Sequence, residues 1–161
     1  MKKLYFSAFL LMGFISFAQH EAKLNITDAL ALKTLHISYE QYISDQTSLG
    51  ASALFNFEGS SSDFRYNEDR AYTGYVRHYL SSDNMWNLFG ELFFTYATGQ
   101  DNDEDITTEF SGGALGLAVG YKYISEGGFT IGPYIGAGRY LFGEDTPTVI
   151  PRIGLNIGFQ F

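Results

Sequence analysis

The chain has 161 residues and carries ten Lys and Arg against 18 Asp and Glu, with three His and no Cys. That acidic balance excludes nucleic acid as a natural partner, and without cysteine a disulfide framework is excluded too. Fifteen Phe, 12 Tyr, one Trp and 18 Gly against only three Pro favour β-structure over helix and exclude a disordered chain.

The first segment reads as an export signal. Lys2 and Lys3 precede an almost wholly apolar stretch over residues 4–18, and Ser16-Phe17-Ala18 places small residues where a signal peptidase reads them. The stretch is shorter than the roughly 20 residues a spanning helix needs. The expected division is therefore a signal peptide over residues 1–18 and one domain over residues 19–161, cleaved before Gln19. Removal of Lys2 and Lys3 leaves eight basic against 18 acidic residues, a net of about −10.

From residue 22 onward, apolar residues alternate with polar or small ones, the period of a strand with two unlike faces. Eight strands are predicted, over residues 22–32, 34–44, 47–57, 70–80, 87–98, 112–124, 129–142 and 150–161. Each is close to the roughly 9 to 11 residues that a tilted strand uses to cross a bilayer. The last strand shows the pattern clearly: Ile153, Leu155, Ile157, Phe159 and Phe161 share one face, and Arg152, Gly154, Asn156, Gly158 and Gln160 the other. Leu115, Leu117, Val119, Tyr121 and Tyr123 likewise oppose Gly116, Ala118, Gly120 and Lys122. A water-facing row would carry long Lys, Glu and Gln side chains. These rows of Gly, Ala and single charges suit a narrow lumen instead, with the apolar face turned to lipid. The fold class is all-β, a single eight-stranded antiparallel up-and-down transmembrane barrel.

Connection lengths give an orientation. Asp45-Gln46, residues 81–86 and residues 125–128 are short, whereas residues 58–69, 99–111 and 143–149 are longer and polar; short turns are expected on the periplasmic side, with both termini. The connection at Lys33 is an exception, being short on the outer side. Asp28 and Arg139 fall on the outward phase. A bulge or local phase change is expected at Asp28, and Arg139 sits near enough to the outer end of its strand to reach headgroups.

These residues carry a family resemblance. Lys23-Leu24-Asn25, Ile37-Ser38-Tyr39-Glu40, Gly136-Ala137-Gly138-Arg139 and Pro151-Arg152-Ile153-Gly154 leading to Phe161, in that order and spacing, resemble the OmpA- and OmpX-like class of small outer-membrane barrels, and more narrowly a family of such barrels without an assigned activity. The resemblance spans residues 19–161. It implies insertion by the outer-membrane assembly machinery, which reads an aromatic-ended last strand, here Phe159 and Phe161. It brings no catalytic residues.

Three constellations are candidates for chemistry. His36, Ser38 and Glu40 share one face of one strand and offer a base, a nucleophile and a carboxylate; His36-x-Ser38 is similar to the arrangement in outer-membrane lipid A deacylases. Same-face neighbours lie roughly 7 Å apart, too far for direct hydrogen bonds, so the residues are read first as lumen polar groups. Glu40, Arg77, Glu91, Lys122 and Arg152 fall on the inward phase of five strands and are expected to interlock as a salt-bridge plug, a gated ion path being the alternative. Asp101, Asp103, Asp105 and Glu109 could offer oxygens to a divalent cation, but Ile106 and Gly112 stand where a calcium loop needs Gly and Glu; a solvated acidic loop is the expectation. Tyr42, Trp86, Tyr123 and Phe129 are expected in an interfacial aromatic girdle.

The leading functional reading is a non-enzymatic outer-membrane barrel whose acidic loops face the medium, in an envelope-structural or surface-interaction role, with membrane lipid and the assembly machinery as partners and no cofactor. The alternatives are a lipid A or phospholipid acyl hydrolase using His36 and Ser38, and a soluble periplasmic barrel around an apolar ligand.

Overall fold

In the computed structural model the described residues are 19–31, 33–57, 68–81, 85–103 and 106–161. Residues 1–18 and Asp105 lie outside them. Eight strands, β1 His20–Asn25, β2 Thr34–Ser44, β3 Thr47–Asn56, β4 Glu68–Tyr79, β5 Trp86–Asp103, β6 Ile106–Ile124, β7 Phe129–Glu144 and β8 Val149–Gln160, form a closed barrel in chain order. Every pairing is antiparallel, and β1 meets β8 to close it. At the seam His20 N–H donates to the Phe161 carbonyl at 2.9 Å and Phe161 N–H to the His20 carbonyl at 2.8 Å. No described helix is long and apolar enough to cross a membrane.

The two faces are inverted relative to a soluble barrel. Leu92, Phe94, Leu115, Leu117, Val119, Ile135, Ile153 and Phe159 are exposed on the outside, Leu117 by 66%. Glu21, Lys23, Glu40, Arg77, Glu91 and Lys122 are buried inside. Arg139 is exposed, beside Val149 at the start of β8.

The interior is not only polar. Tyr75, Phe89 and Phe93 also point inward, and they lie over glycines of neighbouring strands. A Cβ on Gly116 would come within 2.4 Å of the Phe93 ring, one on Gly120 within 2.5 Å of the Phe89 ring, and one on Gly50 within 2.0 Å of Tyr75. The glycine rows on the inward face thus make room for aromatic rings, which fill a lumen only wide enough for side chains.

Two predicted boundaries shift. β5 continues to Asp103 and β6 begins at Ile106, so the stretch read as a loop over residues 99–111 is mostly a hairpin extending past the last β4 partner at Gly99 and the last β7 partner at Ser111. β1 is short. Residues 26–31, read as the rest of that strand, form a helix, α1 Ile26–Ala31. Asn25 caps it: its side-chain oxygen accepts from the N–H of Thr27 at 3.1 Å and of Asp28 at 3.4 Å. Where β1 has stopped, Thr27 Oγ1 accepts the N–H of Leu155 at 3.1 Å, satisfying an otherwise open edge of β8. Lys33, at φ +47°, then turns the chain into β2.

Candidate functional site

The lumen holds the chemically distinctive residues, in two tiers. The tier nearest the short turns is a charge cluster centred on Glu40, a side chain with no exposure. One Glu40 oxygen accepts from Ser48 and Tyr79, both at 2.6 Å, and the other from Lys23 and from Arg77 Nη1 at 3.0 Å. Arg77 also donates to Glu91 through Nη2 at 2.6 Å and Nε at 3.1 Å. Glu91 accepts in turn from Arg152 Nε at 2.8 Å. Lys122 uses its three protons on Glu21, on Tyr42 at 2.7 Å and on Tyr79 at 2.8 Å. Thr130 donates to Glu21 at 2.6 Å.

All five inward-phase charges named from the sequence are therefore in one connected network. Glu21 and Lys23 belong to it as well: Glu21 stands one residue ahead of the predicted first strand, and Lys23 shares its inward phase. The alternation Glu21-x-Lys23-x-Asn25 against Ala22 and Leu24 was the available signal. The guanidinium of Arg77 lies 3.9 Å from the Phe89 ring centroid, and that of Arg152 lies 4.8 Å from Phe93. Cations, carboxylates and rings together fill this end, leaving it as a plug.

The tier nearest the longer connections is built differently. Leu54, Ala71, Phe110, Ala114 and Ile150 form an apolar cluster with Tyr140. Beside it α1 turns Asp28 inward, against the expected bulge: the helical turn, and not a strand phase, sets its direction. Asp28 Oδ2 accepts from Asn25 at 2.9 Å and lies 2.6 Å from His36 Nδ1. The other ring nitrogen, Nε2, lies 3.2 Å from Ser52 Oγ. Asp28, His36 and Ser52 are all buried. A carboxylate only accepts hydrogen bonds, so Nδ1 carries a proton; Nε2 accepts from the Ser52 hydroxyl when the ring is neutral and donates to it when the ring is charged. Asn25 holds the carboxylate while also donating to the Tyr134 hydroxyl at 2.9 Å. Gly154 leaves the space for Asn25, since a Cβ there would come within 2.2 Å of its amide.

The proposed set of His36, Ser38 and Glu40 is thus not the arrangement formed. Glu40 serves the charge cluster, and Ser38 lies in register with Ser52 across the β2–β3 pair. His36 reaches diagonally to Ser52 and up to Asp28. No signal within β2 alone could show this, but the sequence Asn25-Ile-Thr-Asp28 ahead of Ala-Leu-Ala carried a helix cap.

The acidic candidates lie at the β5–β6 hairpin. Asp101 and Asp103 lie on the far end of β5, and Glu109 stands opposite Gln100 in register. Among the described residues no group of three His, Asp or Glu side chains has the geometry to hold a metal ion. A recess of about 350 Å³ at that rim is lined by Asp69, Glu109 and Glu144 together with Phe110. Of the girdle residues, Trp86 is exposed and packs on Tyr123 at 5.2 Å between centroids, and Phe129 is exposed. Tyr42 is turned inward onto Tyr79, with centroids 5.6 Å apart, on the same phase as Glu40.

No family model and no curated protein matches the chain. Solved structures do. The N-terminal β-barrel domain of Pseudomonas aeruginosa OprF is similar with a TM-score of 0.62 at 13% identity, over 89% of this chain and 96% of that one. Neisserial surface protein A gives 0.56 at 9% identity, over 89% and 96%. Ail, the attachment invasion locus protein of Yersinia pestis, gives 0.54 at 10% identity, over 89% and 97%. At such identities the likeness is one of fold, and the fold is that of the small eight-stranded outer-membrane barrels, the OmpA- and OmpX-like architecture that the sequence resembles.

Proposed function

We propose that the protein is exported, loses residues 1–18 and resides in an outer membrane as a plugged barrel with an envelope-structural or surface-interaction role, its termini periplasmic and its acidic rim facing the medium. The observation that carries this reading is the inverted barrel, with exposed Leu117, Val119, Ile135 and Phe159 outside and buried Glu40, Arg77, Glu91 and Lys122 inside. Exposed apolar surface in one continuous band is a liability in water and is matched by a lipid interior. The filled short-turn end argues against a solute path, because opening it would strip paired charges of their partners at a cost of several kcal/mol.

An interaction role is favoured by the extended β5–β6 hairpin and the carboxylates of Asp69, Glu109 and Glu144 beside it. Lipid and the assembly machinery are the partners this reading requires, the latter through Phe159 and Phe161. Fractionation of expressing cells tests it. The protein is expected in the outer membrane, resisting carbonate extraction and migrating differently on a denaturing gel when unboiled. Recovery of the folded chain from the soluble periplasm would overturn the reading.

A further inference from the structure

The lipid face is not uniform. On β5, β6 and β8 its outward positions carry large exposed side chains, Leu92, Phe94, Leu115, Leu117, Ile153 and Phe159 among them. Midway along β3 and β4, and at Ala22 of β1, they are small. Ala51 stands in register with Gly74 and Ala53 with Tyr72, while Ala22 lies on the far side of Tyr39. The result is a groove of about 1040 Å³ in the outer wall, floored by Ala22, Ala51, Ala53 and Gly74 and edged by the exposed rings of Tyr39, Tyr72 and Phe159. The lumen does not require it. A Cβ at Gly74 would meet nothing within 4 Å, whereas Gly50 and Gly116 make room for inward rings.

The basic residues are sorted as well. Lys23, Arg77, Lys122 and Arg152 are buried in the lumen network, and the other described ones, Lys33, Arg70 and Arg139, are exposed at the end of the longer connections. Arg70 belongs to the groove. It shares the outward phase of β4 with Tyr72 and Gly74 and stands in register with Phe55, whose ring meets that of Tyr72 edge-on. Among the described residues its guanidinium makes no hydrogen bond or ion pair. Asp69, at the register shift just before it, lines the rim recess instead.

A guanidinium without a counter-charge, set at headgroup level above an apolar groove, is complementary to an amphiphile with an anionic phosphate head. We infer that the groove seats one acyl tail of an anionic, phosphate-bearing lipid of the surrounding bilayer, with the phosphate held by Arg70. The inference rests on the membrane reading above and gives that membrane a specific partner. A zwitterionic head is a poorer match, because it brings its own cation to the phosphate.

The dimensions agree. From Arg70 to Gly74 is roughly 13 Å along the strand, which fits within one leaflet of a hydrocarbon core about 30 Å thick. A tail anchored at Arg70 therefore reaches the floor at Ala51 and Gly74 without leaving its leaflet. Arg139 provides the contrast. Its register partners Leu115 and Val149 are large and exposed, so it can meet a headgroup but has no groove beneath it.

The test places the full folded barrel in nanodiscs of equal parts dimyristoyl phosphatidylglycerol and dimyristoyl phosphatidylcholine, which share tails and differ in headgroup charge. Lipid retained on the released barrel is read by native mass spectrometry, and each variant is checked for heat-modifiable mobility. One phosphatidylglycerol per chain is expected, favoured over phosphatidylcholine by about fivefold or more. Arg70→Gln should abolish that preference. Gly74→Leu, which fills the floor from its open side, should lower retention with Arg70 still in place, and Arg139→Gln should change neither. The inference is overturned if the folded barrel retains both lipids equally, if Arg70→Gln keeps the preference, or if Gly74→Leu retains lipid as the wild type does. Displacement of the lipid by inorganic phosphate would make Arg70 a site for the free anion, and a doubled mass that Gly74→Leu removes would make the groove a contact between copies; either result also overturns it. Failure to enter the nanodisc at all would sink the membrane reading itself, an outcome distinct from insertion without preference.

Discussion

The two ends of the lumen solve one problem, filling a narrow tube, by opposite means. At the short-turn end, Glu21, Glu40 and Glu91 are matched to Lys23, Arg77, Lys122 and Arg152 in a network whose members come from six strands. At the other end Leu54, Ala71, Phe110, Ala114 and Ile150 pack as a small apolar core, with the Asn25, Asp28, His36, Ser52 series beside it and Glu68 and the Thr73–Thr95 pair among the other buried polar groups. The first arrangement is over-determined: every charge but Arg152, whose ionic partner is Glu91, has two or more partners. The second is serial, each group holding the next. Rigidity is expected of the first and easier local rearrangement of the second.

Substitutions separate these accounts. The largest effect is expected for Glu40→Ala, which leaves Lys23, Arg77 and Lys122 buried around a missing carboxylate; a loss of about 3–5 kcal/mol is expected from urea unfolding of the barrel in lipid vesicles. A value under about 1 kcal/mol would mean that water reaches the cluster. Leu117→Arg, on the lipid face, should cost about 2–4 kcal/mol in the same measurement, and no cost would place that face outside the bilayer core. Gly116→Ala should cost about 1–3 kcal/mol, because its Cβ meets the Phe93 ring and the backbone of β7. Gly74→Ala is its control: nothing lies within 4 Å of that Cβ, and a change within about 0.5 kcal/mol is expected. Among the destabilising changes the smallest belongs to the serial end, where Asn25→Ala removes the cap of α1 for about 1 kcal/mol, still above the Gly74→Ala control.

How much of this was legible follows from the range over which each signal acts. The barrel was legible because alternation is a local property. Once Leu115, Leu117 and Val119 are on one face and Gly116 and Lys122 on the other, the identity of the inward charges follows without any knowledge of the partners. The role of the inward glycines was not legible, since Gly116 is explained by Phe93 on the neighbouring strand. Period-2 alternation also carried β1 too far: residues 26–31 fit a strand pattern weakly, and the Asn25 cap with good helix formers behind it outweighs that pattern. The partners of His36 depend on a diagonal across the β2–β3 pair and on a helix six residues long. Both are products of tertiary register, which no single strand encodes.

The seam between His20 and Phe161 bears on kinetics. Glu21 on β1 is neutralised by Lys122 on β6, and Glu91 on β5 by Arg152 on β8, so the charge cluster cannot be completed before the two ends of the strand series meet. Until then the lumen must stay hydrated, for several carboxylates and cations still lack partners. Closure and dehydration are therefore one late event. Contacts of such long sequence separation make that event slow, and a half-formed curl of strands is expected to persist as an open, wet intermediate with unpaired edges.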